Sequence, residues 1–269
     1  MRACPNCGNI TYKEKMREKN FVIVSCIECG LVYLLNPPDE KEIYEEYYKI
    51  EFTKDDYRSD SGVEILKEIF EINSQRVKLI KALAEKPDFK LLDIGCGSGL
   101  FLKSCTDAGF RVSGIDVSEN ALKFARESFG LDVHNKSIGD IAGEKKMFDV
   151  ITMWHVLEHI LNPVEELKLI KGILNPGGLL LIEVPNFNSI KFRLSGYKWK
   201  GGNHPLYHRS FFTSKTLRDT LNKSGFANTE QLRFTYKLGT KSAIYNFSKK
   251  VFNKFSADAF LNFAARNKK

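Results

Sequence analysis

The sequence predicts an α/β chain: a doubly wound, mostly parallel sheet, with a small cysteine-knuckle module before it and an amphipathic helix after it. Three observations predict this. From residue 89 onward, short apolar runs alternate with helical patterns, as in parallel strands covered by helices on both faces. A glycine-rich loop, Gly95-Cys96-Gly97-Ser98-Gly99, lies where the first of these runs meets the first helix. Ahead of it, two Cys-x-x-Cys pairs flank the strand-like Phe21-Val22-Ile23-Val24.

Residues 1–36 form the first unit, closed by Asn36-Pro37-Pro38. Residues 37–88 are a connector and a helix. Residues 39–60 carry nine acidic against four basic side chains, with Tyr44, Tyr47, Tyr48 and Tyr57. Ile65, Leu66, Ile69, Val77, Ile80, Leu83 and Ala84 then recur at helical spacing until Pro87. The main domain spans 89–236. Its strands are predicted over 89–94, 110–115, 149–153 and 179–184. A helix over 99–108 is closed by Gly109, and Ser118 caps another that runs to 128. Asn162-Pro163-Val164-Glu165 opens a helix with cap, N1 proline and N3 glutamate in place. Asn175-Pro176-Gly177-Gly178 is a turn into the next strand. Residues 186–213 are an aromatic-rich insertion placed to close over a ligand site, followed by a helix over 214–224 and a strand over 231–236. Ile244, Phe247, Val251, Phe255, Ala259 and Phe263 predict an amphipathic helix over 239–263 within a tail of 237–269.

Of 269 residues, 43% are apolar and 28% charged, which suits one full folded domain plus a small one. The net charge of +8 is concentrated: residues 237–269 carry +7 and all the rest +1. The basic stripe of 239–263 suits docking on its own domain or on a second copy; it also suits the surface of an anionic membrane. No apolar run approaches the ~20 residues that cross a bilayer, and no secretory leader pattern is present. A cytoplasmic protein, with peripheral membrane contact as a variant, is the expectation.

Cys4, Cys7, Cys26 and Cys29 read C-x2-C-x18-C-x2-C. Two residues between thiolates let one tight turn present both sulfurs to a tetrahedral ion, and the glycine after each second cysteine permits the turn. A structural Zn²⁺ is predicted, because four thiolates leave no open position for water. Cys96 and Cys105 read as ordinary small residues.

Asp93 stands just before the glycine loop, and Asp116 ends the next strand 21 residues after Gly95. That second spacing suits a carboxylate accepting both ribose hydroxyls of an adenosine. A G-x-G-x-x-G loop would lay a pyrophosphate on the helix N-terminus. Here the loop is G-x-G-x-G, and a carboxylate at Asp93 would repel a pyrophosphate but suit an ammonium or sulfonium. No Gly-Lys-Ser/Thr follows to serve a triphosphate. S-adenosylmethionine meets all three conditions.

With these residues in place, the sequence resembles the Rossmann-like class I S-adenosylmethionine-dependent methyltransferases over roughly 89–236. The likeness is carried by 92–99, Gly114-Ile115-Asp116-Val117-Ser118, 148–160 and 174–185. The resemblance implies that Gly95, Cys96, Gly97 and Gly99 wrap the methionine part. Asp116, with Val117 beside it, would hold the ribose, and Met153 and Trp154 would line the other side. Ser137 and Ile138 fall where adenine contacts usually lie, with Asp140 a competing choice. It further implies methyl transfer to a hydroxyl or amine of a small molecule or sugar-bearing precursor. An RNA acceptor, read by the cysteine module and the basic tail, is the alternative. Residues 1–36 net only +2 and offer few aromatics for stacking, which disfavours it.

Four of five histidines fall in two groups: His155 and His159 in His-Val-Leu-Glu-His, and His204 and His208 in the insertion. The carboxyl ends of parallel strands form the ligand crevice, so His155 lies at the site. Histidine titrates near neutrality and can accept a substrate proton. His155 is the first candidate base and His208 the second. For Glu158 and His159, hydrogen bonds to neighbouring loops are the plainer reading, set against a divalent-metal reading of His155, Glu158 and His159. His208, Phe212 and Lys215-Thr216-Leu217 resemble a methyltransferase subgroup that pairs cysteine knuckles with this fold and acts on sugar or polysaccharide precursors. Trp199 and Phe211 read equally well as lid or core aromatics.

Overall fold

The computed structural model describes residues 2–18, 21–38, 60–84, 87–195, 207–226, 228–232 and 260–267. The cysteine module contributes β1 (Tyr12–Arg17), β2 (Val22–Cys26) and β3 (Val32–Leu34), paired antiparallel in that order. The helical stripe after it becomes α1 (Asp60–Leu83).

The main sheet follows from the alternation. Its strands are β4 (Lys90–Ile94), β5 (Arg111–Ile115), β6 (Val133–His134), β7 (Phe148–Trp154) and β8 (Leu174–Pro185), all parallel. Its helices are α2 (Leu100–Asp107), α3 (Glu119–Phe129), α4 (Ile138–Gly143) and α5 (Pro163–Ile173). Successive strand residues serve opposite faces. Leu91, Val150, Leu179 and Leu181 pack with Val77, Ile80, Leu102 and Leu122, whereas Leu92, Ile151, Leu180 and Ile182 pack with Ile138, Ile141, Leu167 and Ile170. Strands buried on both faces explain the near-continuous apolar runs. The order β6-β5-β4-β7-β8 reverses direction at β4, which opens a crevice at the carboxyl ends of β4 and β7.

Local signals hold with two adjustments. Ser118 Oγ accepts from the Ala121 amide at 3.3 Å, as a cap should. Asn162 makes no such bond; Pro163 at the first helical position fixes the start of α5 without it. Residues 175–178 lie within β8: Leu174 already pairs with Phe148, and a register shift precedes the pairing from Leu179 onward.

The insertion and the tail differ from expectation. The insertion yields α6 (Ile190–Ser195) and β9 (Ser210–Phe211). β9 pairs antiparallel with β3, so residues 210–211 of the insertion complete the sheet of the cysteine module. Phe211 is a buried core residue, while Trp199 and His204 lie outside the described residues. α7 (Ser214–Lys223) matches the expected helix, and β10 (Asn228–Leu232) starts three residues before the expected strand. The helix predicted over 239–263 is corrected at its end: β11 (Phe260–Arg266) is a strand between β10 and β8, antiparallel to both. Leu261, Phe263 and Ala265 are buried there. Asn262 and Ala264 on the opposite face are buried as well, because the segment fills a slot between two strands of a sheet covered on both faces. Residues 239–259 lie outside the described residues.

One core joins the two sheets. Val24, Leu31 and Tyr33 of the cysteine module share a cluster with Leu167, Phe212, Leu217 and Phe226. Arg2 donates to the Leu34 carbonyl at 2.9 Å and to the Leu161 carbonyl.

Candidate functional site: a glycine cradle beside a histidine–glutamate cluster

The four cysteines converge as their spacing requires. Cys7 and Cys26 Sγ are 3.4 Å apart, Cys4 and Cys29 Sγ 3.6 Å, and all four sulfurs lie within 4.8 Å of one another. Bonds of about 2.3 Å to a tetrahedral Zn²⁺ place sulfurs about 3.8 Å apart, so the set fits the ion. Bound there, zinc would tie the two knuckles together with no position left for a substrate.

The glycine loop runs from β4 into α2. A Cβ on Gly95 would overlap the Val156 side chain, so the loop lies directly against the segment after β7. Gly97, with φ +51°, has nothing within 4 Å of where its Cβ would be, and presents bare backbone to a ligand. Asp116 is held by two amides: Oδ2 accepts from Gly97 and Oδ1 from Ser118, each at 2.8 Å. Asp93 is 2% exposed and accepts from the Thr152 hydroxyl at 2.6 Å. Burial pushes Asp93 up to about 7, against the opposing pull of Thr152 and Arg76. Burial also raises Asp116, against its amide bonds. Two enclosed carboxyls that resist ionising gain from a cationic ligand, which is the property expected for a sulfonium compound bearing a ribose. S-adenosylmethionine fits this cradle.

The other predicted cofactor residues are spread around it. Cys96, Ile138 and Met153 bury their side chains in the core, and Val117 is exposed beside Asp116. Ser137 and Asp140 bond each other in a capping box that starts α4. Trp154 meets Phe101 edge-on at 5.5 Å, and the Arg76 guanidinium lies 4.3 Å from its ring centre. Arg76 also pairs with the buried Glu183 at 2.6 Å. Sequence reasoning missed both residues. One arginine in a helical stripe and one acid in an apolar strand carry no local signal.

His155 follows β7 with φ 59°, a left-handed conformation uncommon for a non-glycine residue and typical of strained sites. Its amide donates to the Glu183 carbonyl at 2.8 Å. Its ring lies 3.1 Å from Glu183 Oε1 and 3.6 Å from Glu158 Oε1. Burial alone would lower its pKa; the two carboxylates outweigh that and raise it to about 9. The two carboxylates therefore favour the protonated ring. Glu158 belongs to a 3-10 turn (Leu157–His159); among the described residues neither of its oxygens has a hydrogen-bond partner, contrary to expectation, and it is ion-paired with His155 and His159 instead. His159 Nδ1 lies 2.8 Å from the Tyr207 carbonyl, and its ring meets His208 at 4.8 Å. Glu158 therefore gathers all three histidines: His155 at 3.6 Å, His159 at 3.9 Å and the buried His208 within 4.8 Å, with His155 bound to Glu183 as well.

A glycine loop after the first parallel strand, an acid ending the second and a crevice at the switch point define an adenosine-binding α/β domain. The chain belongs to the methyltransferase-domain family, whose model matches residues 66–231. The fold is similar to that of a SAM-dependent methyltransferase from Archaeoglobus fulgidus, with TM-score 0.55 and 22% identity over 73% of this chain and 94% of that one. A ubiquinone biosynthesis O-methyltransferase of Xanthomonas campestris is 30% identical over 135 residues, 48% of this chain and 56% of that protein. Its namesake in Aromatoleum aromaticum is 29% identical over 183 residues, 63% of this chain and 77% of that protein. The chain thus spans little more than half the length of the Xanthomonas relative.

Proposed function

We propose that this protein methylates a hydroxyl of a small molecule, a sugar-bearing precursor included, and that the acceptor binds between the glycine cradle and the Glu158–His159–His208 cluster. The observation that carries this reading is the contact of Gly95 with Val156, which sets the cradle directly against that cluster. The O-methyltransferase names of the relatives support an oxygen acceptor over an amine.

Bound S-adenosylmethionine would supply a methyl group already activated by its sulfonium. The chain's own work is then to align the acceptor, exclude water and take a proton. Gly97 and Asp116 would hold the adenosine side, and Asp93 would balance the positive charge. His155, protonated and clamped by Glu183, orients Glu158 and accepts no proton at neutral pH. Removal of the acceptor proton falls to the side of the crevice formed by His159 and His208. RNA is the weaker acceptor, because residues 1–36 carry only +2.

The test is a screen of phenolic, sugar-nucleotide and RNA acceptors with cofactor labelled in the methyl group. His208→Ala should lower turnover by ~10²–10⁴ on the acceptor found, with binding of S-adenosylhomocysteine kept. Label entering RNA alone, or full turnover in the variant, sinks the proposal.

A further inference from the structure

Arg76 of α1 and Glu183 of β8 form an ion pair inside the fold. Arg76 Nη2 donates to Glu183 Oε1 at 2.6 Å, and the two side chains are 12% and 1% exposed. Glu183 stands in register with Trp154 of β7 on one side and with Asn262 of β11 on the other. Its Oε1 also lies 3.1 Å from His155 Nε2. The guanidinium rests 4.3 Å from the centre of the Trp154 ring, and that ring meets Phe101 of α2 edge-on. Two residues before Trp154 on the same strand, Thr152 donates to Asp93, the carboxyl just before the glycine loop. Burial lifts Asp93, and the charge of Arg76 pulls against that lift. The field of the pair therefore reaches the cofactor cradle.

The two members act on a sulfonium in opposite senses. Arg76 keeps its proton at any working pH, and a fixed cation repels a second cation. A buried carboxylate attracts it. Joined at 2.6 Å, the charges largely cancel at a distance. Desolvation offsets much of what a buried pair gains in stability, so stability is a weak reason for placing one beside the cradle.

We propose that Arg76 is a specificity-determining residue: by neutralising Glu183 it limits how strongly the cradle prefers the sulfonium cofactor over its neutral thioether product. The benefit lies in the reaction. The methyl carbon leaves sulfur for the acceptor oxygen, the carbon–sulfur electron pair stays on sulfur, and the acceptor's proton goes to the histidine side of the crevice. Positive charge on sulfur fades along this path. Extra negative field there would hold the bound cofactor more firmly than the transition state and slow turnover. Arg76 withholds that field. The inference rests on the cradle holding S-adenosylmethionine and is independent of which acceptor is methylated.

The experiment is calorimetry on the full chain at neutral pH, with S-adenosylmethionine and S-adenosylhomocysteine as ligands. The two share their adenosine, ammonium and carboxylate, so the ratio of their dissociation constants reads the sulfur and its methyl group. Arg76→Met removes the cation, while Glu183 keeps His155 as a partner. The ratio should shift toward S-adenosylmethionine roughly tenfold, the effect of one unit charge acting over about 10 Å in a partly buried site. Arg76→Lys keeps the charge, and its ratio should stay within about threefold of the parent's. Combining Arg76→Met with Glu183→Gln removes both charges and should bring the ratio back toward the parent's. Loss of packing alone would weaken both ligands alike and leave the ratio where it was. Once an acceptor is known, Arg76→Met should lower kcat and the KM for S-adenosylmethionine together, the mark of a ground state held too firmly. Thermal melting checks that each variant is folded. If Arg76→Met is not, Arg76→Gln, which can still donate to Glu183, decides by the same ratio. An unmoved ratio in the folded neutral variant, or a shift toward S-adenosylhomocysteine, overturns the proposal. So does a shift in Arg76→Lys as large as in Arg76→Met, because shape and not charge would then be the cause. A parent protein that binds neither ligand removes the cofactor reading and this inference with it.

Discussion

The cysteine cluster and the glutamate–histidine cluster are built from opposite materials. The first takes all four ligands from residues 4–29, two per knuckle, and closes on itself. The second takes Glu158 and His159 from the turn after β7, and His208 from a segment about fifty residues later that arrives by pairing with β3. The closed set has four soft donors and no room for substrate. The open set has three harder donors beside the ligand crevice. The difference teaches that a local set announces itself as a spacing, whereas a distant set exists only once the fold has formed. The two are also coupled, because the module organised by the first pairs with β9 and so positions His208 in the second.

Breaking the closed cluster is expected to have the largest effect. Cys26→Ser removes one of four zinc ligands, and structural zinc contributes folding free energy directly. The variant should lose its zinc by metal analysis and melt well below the parent protein, and limited proteolysis should cut within residues 2–38. If the coupling holds, turnover falls a further ~10–100-fold in the folded fraction, the effect of a lost supporting contact, while the dissociation constant for S-adenosylhomocysteine stays within about threefold. Unchanged turnover without zinc would show the two regions to be independent.

Asp116→Ala sharpens the comparison from the cofactor side. Its carboxylate accepts from the Gly97 and Ser118 amides, and neither residue belongs to either cluster. Calorimetry should show cofactor binding weaker by ~1–3 kcal/mol, the cost of leaving ribose hydroxyls without a charged acceptor. Zinc content should not move.

Legibility follows the same division between local and distant. The parallel strands, the glycine loop, Asp93, Asp116 and the four cysteines were readable because each rests on a short period or spacing. The Ser118 cap was readable, whereas Asn162 had the right residue type without the bond. The end of the tail was misread because Phe263, the last member of the helical stripe, also fits a strand alternation with Leu261 and Ala265; only the slot between β8 and β10 decides. Arg76 on Glu183, β9 on β3, and His208 beside Glu158 join residues far apart in sequence, and no local pattern encodes them.

Asp93 gives the smallest effect, and burial fixes its sign. The folded protein holds this carboxyl at about 7, whereas in the unfolded chain it ionises near 3.9, the usual value. From about pH 4 to about pH 7 the unfolded chain releases a proton that the folded chain keeps. Through this group, the ligand-free protein therefore loses stability as the pH rises across that window, and no more is lost above it. A bound cation favours the carboxylate and pulls its pKa down, so the ligand's stabilising effect grows across the same window. The rise in melting temperature caused by S-adenosylmethionine should be larger at pH 8 than at pH 6, by about 2–4 °C for each kcal/mol of linkage in a chain of this size. S-adenosylhomocysteine lacks the sulfonium charge and should show less of this increase. Asp93→Asn keeps the shape of the side chain and removes its titration, so both ligands should become insensitive to pH in the variant. Equal pH dependence for the two ligands in the parent protein would mean that Asp93 does not face the sulfonium, and would leave the open cluster as the charged feature nearest the reacting methyl group.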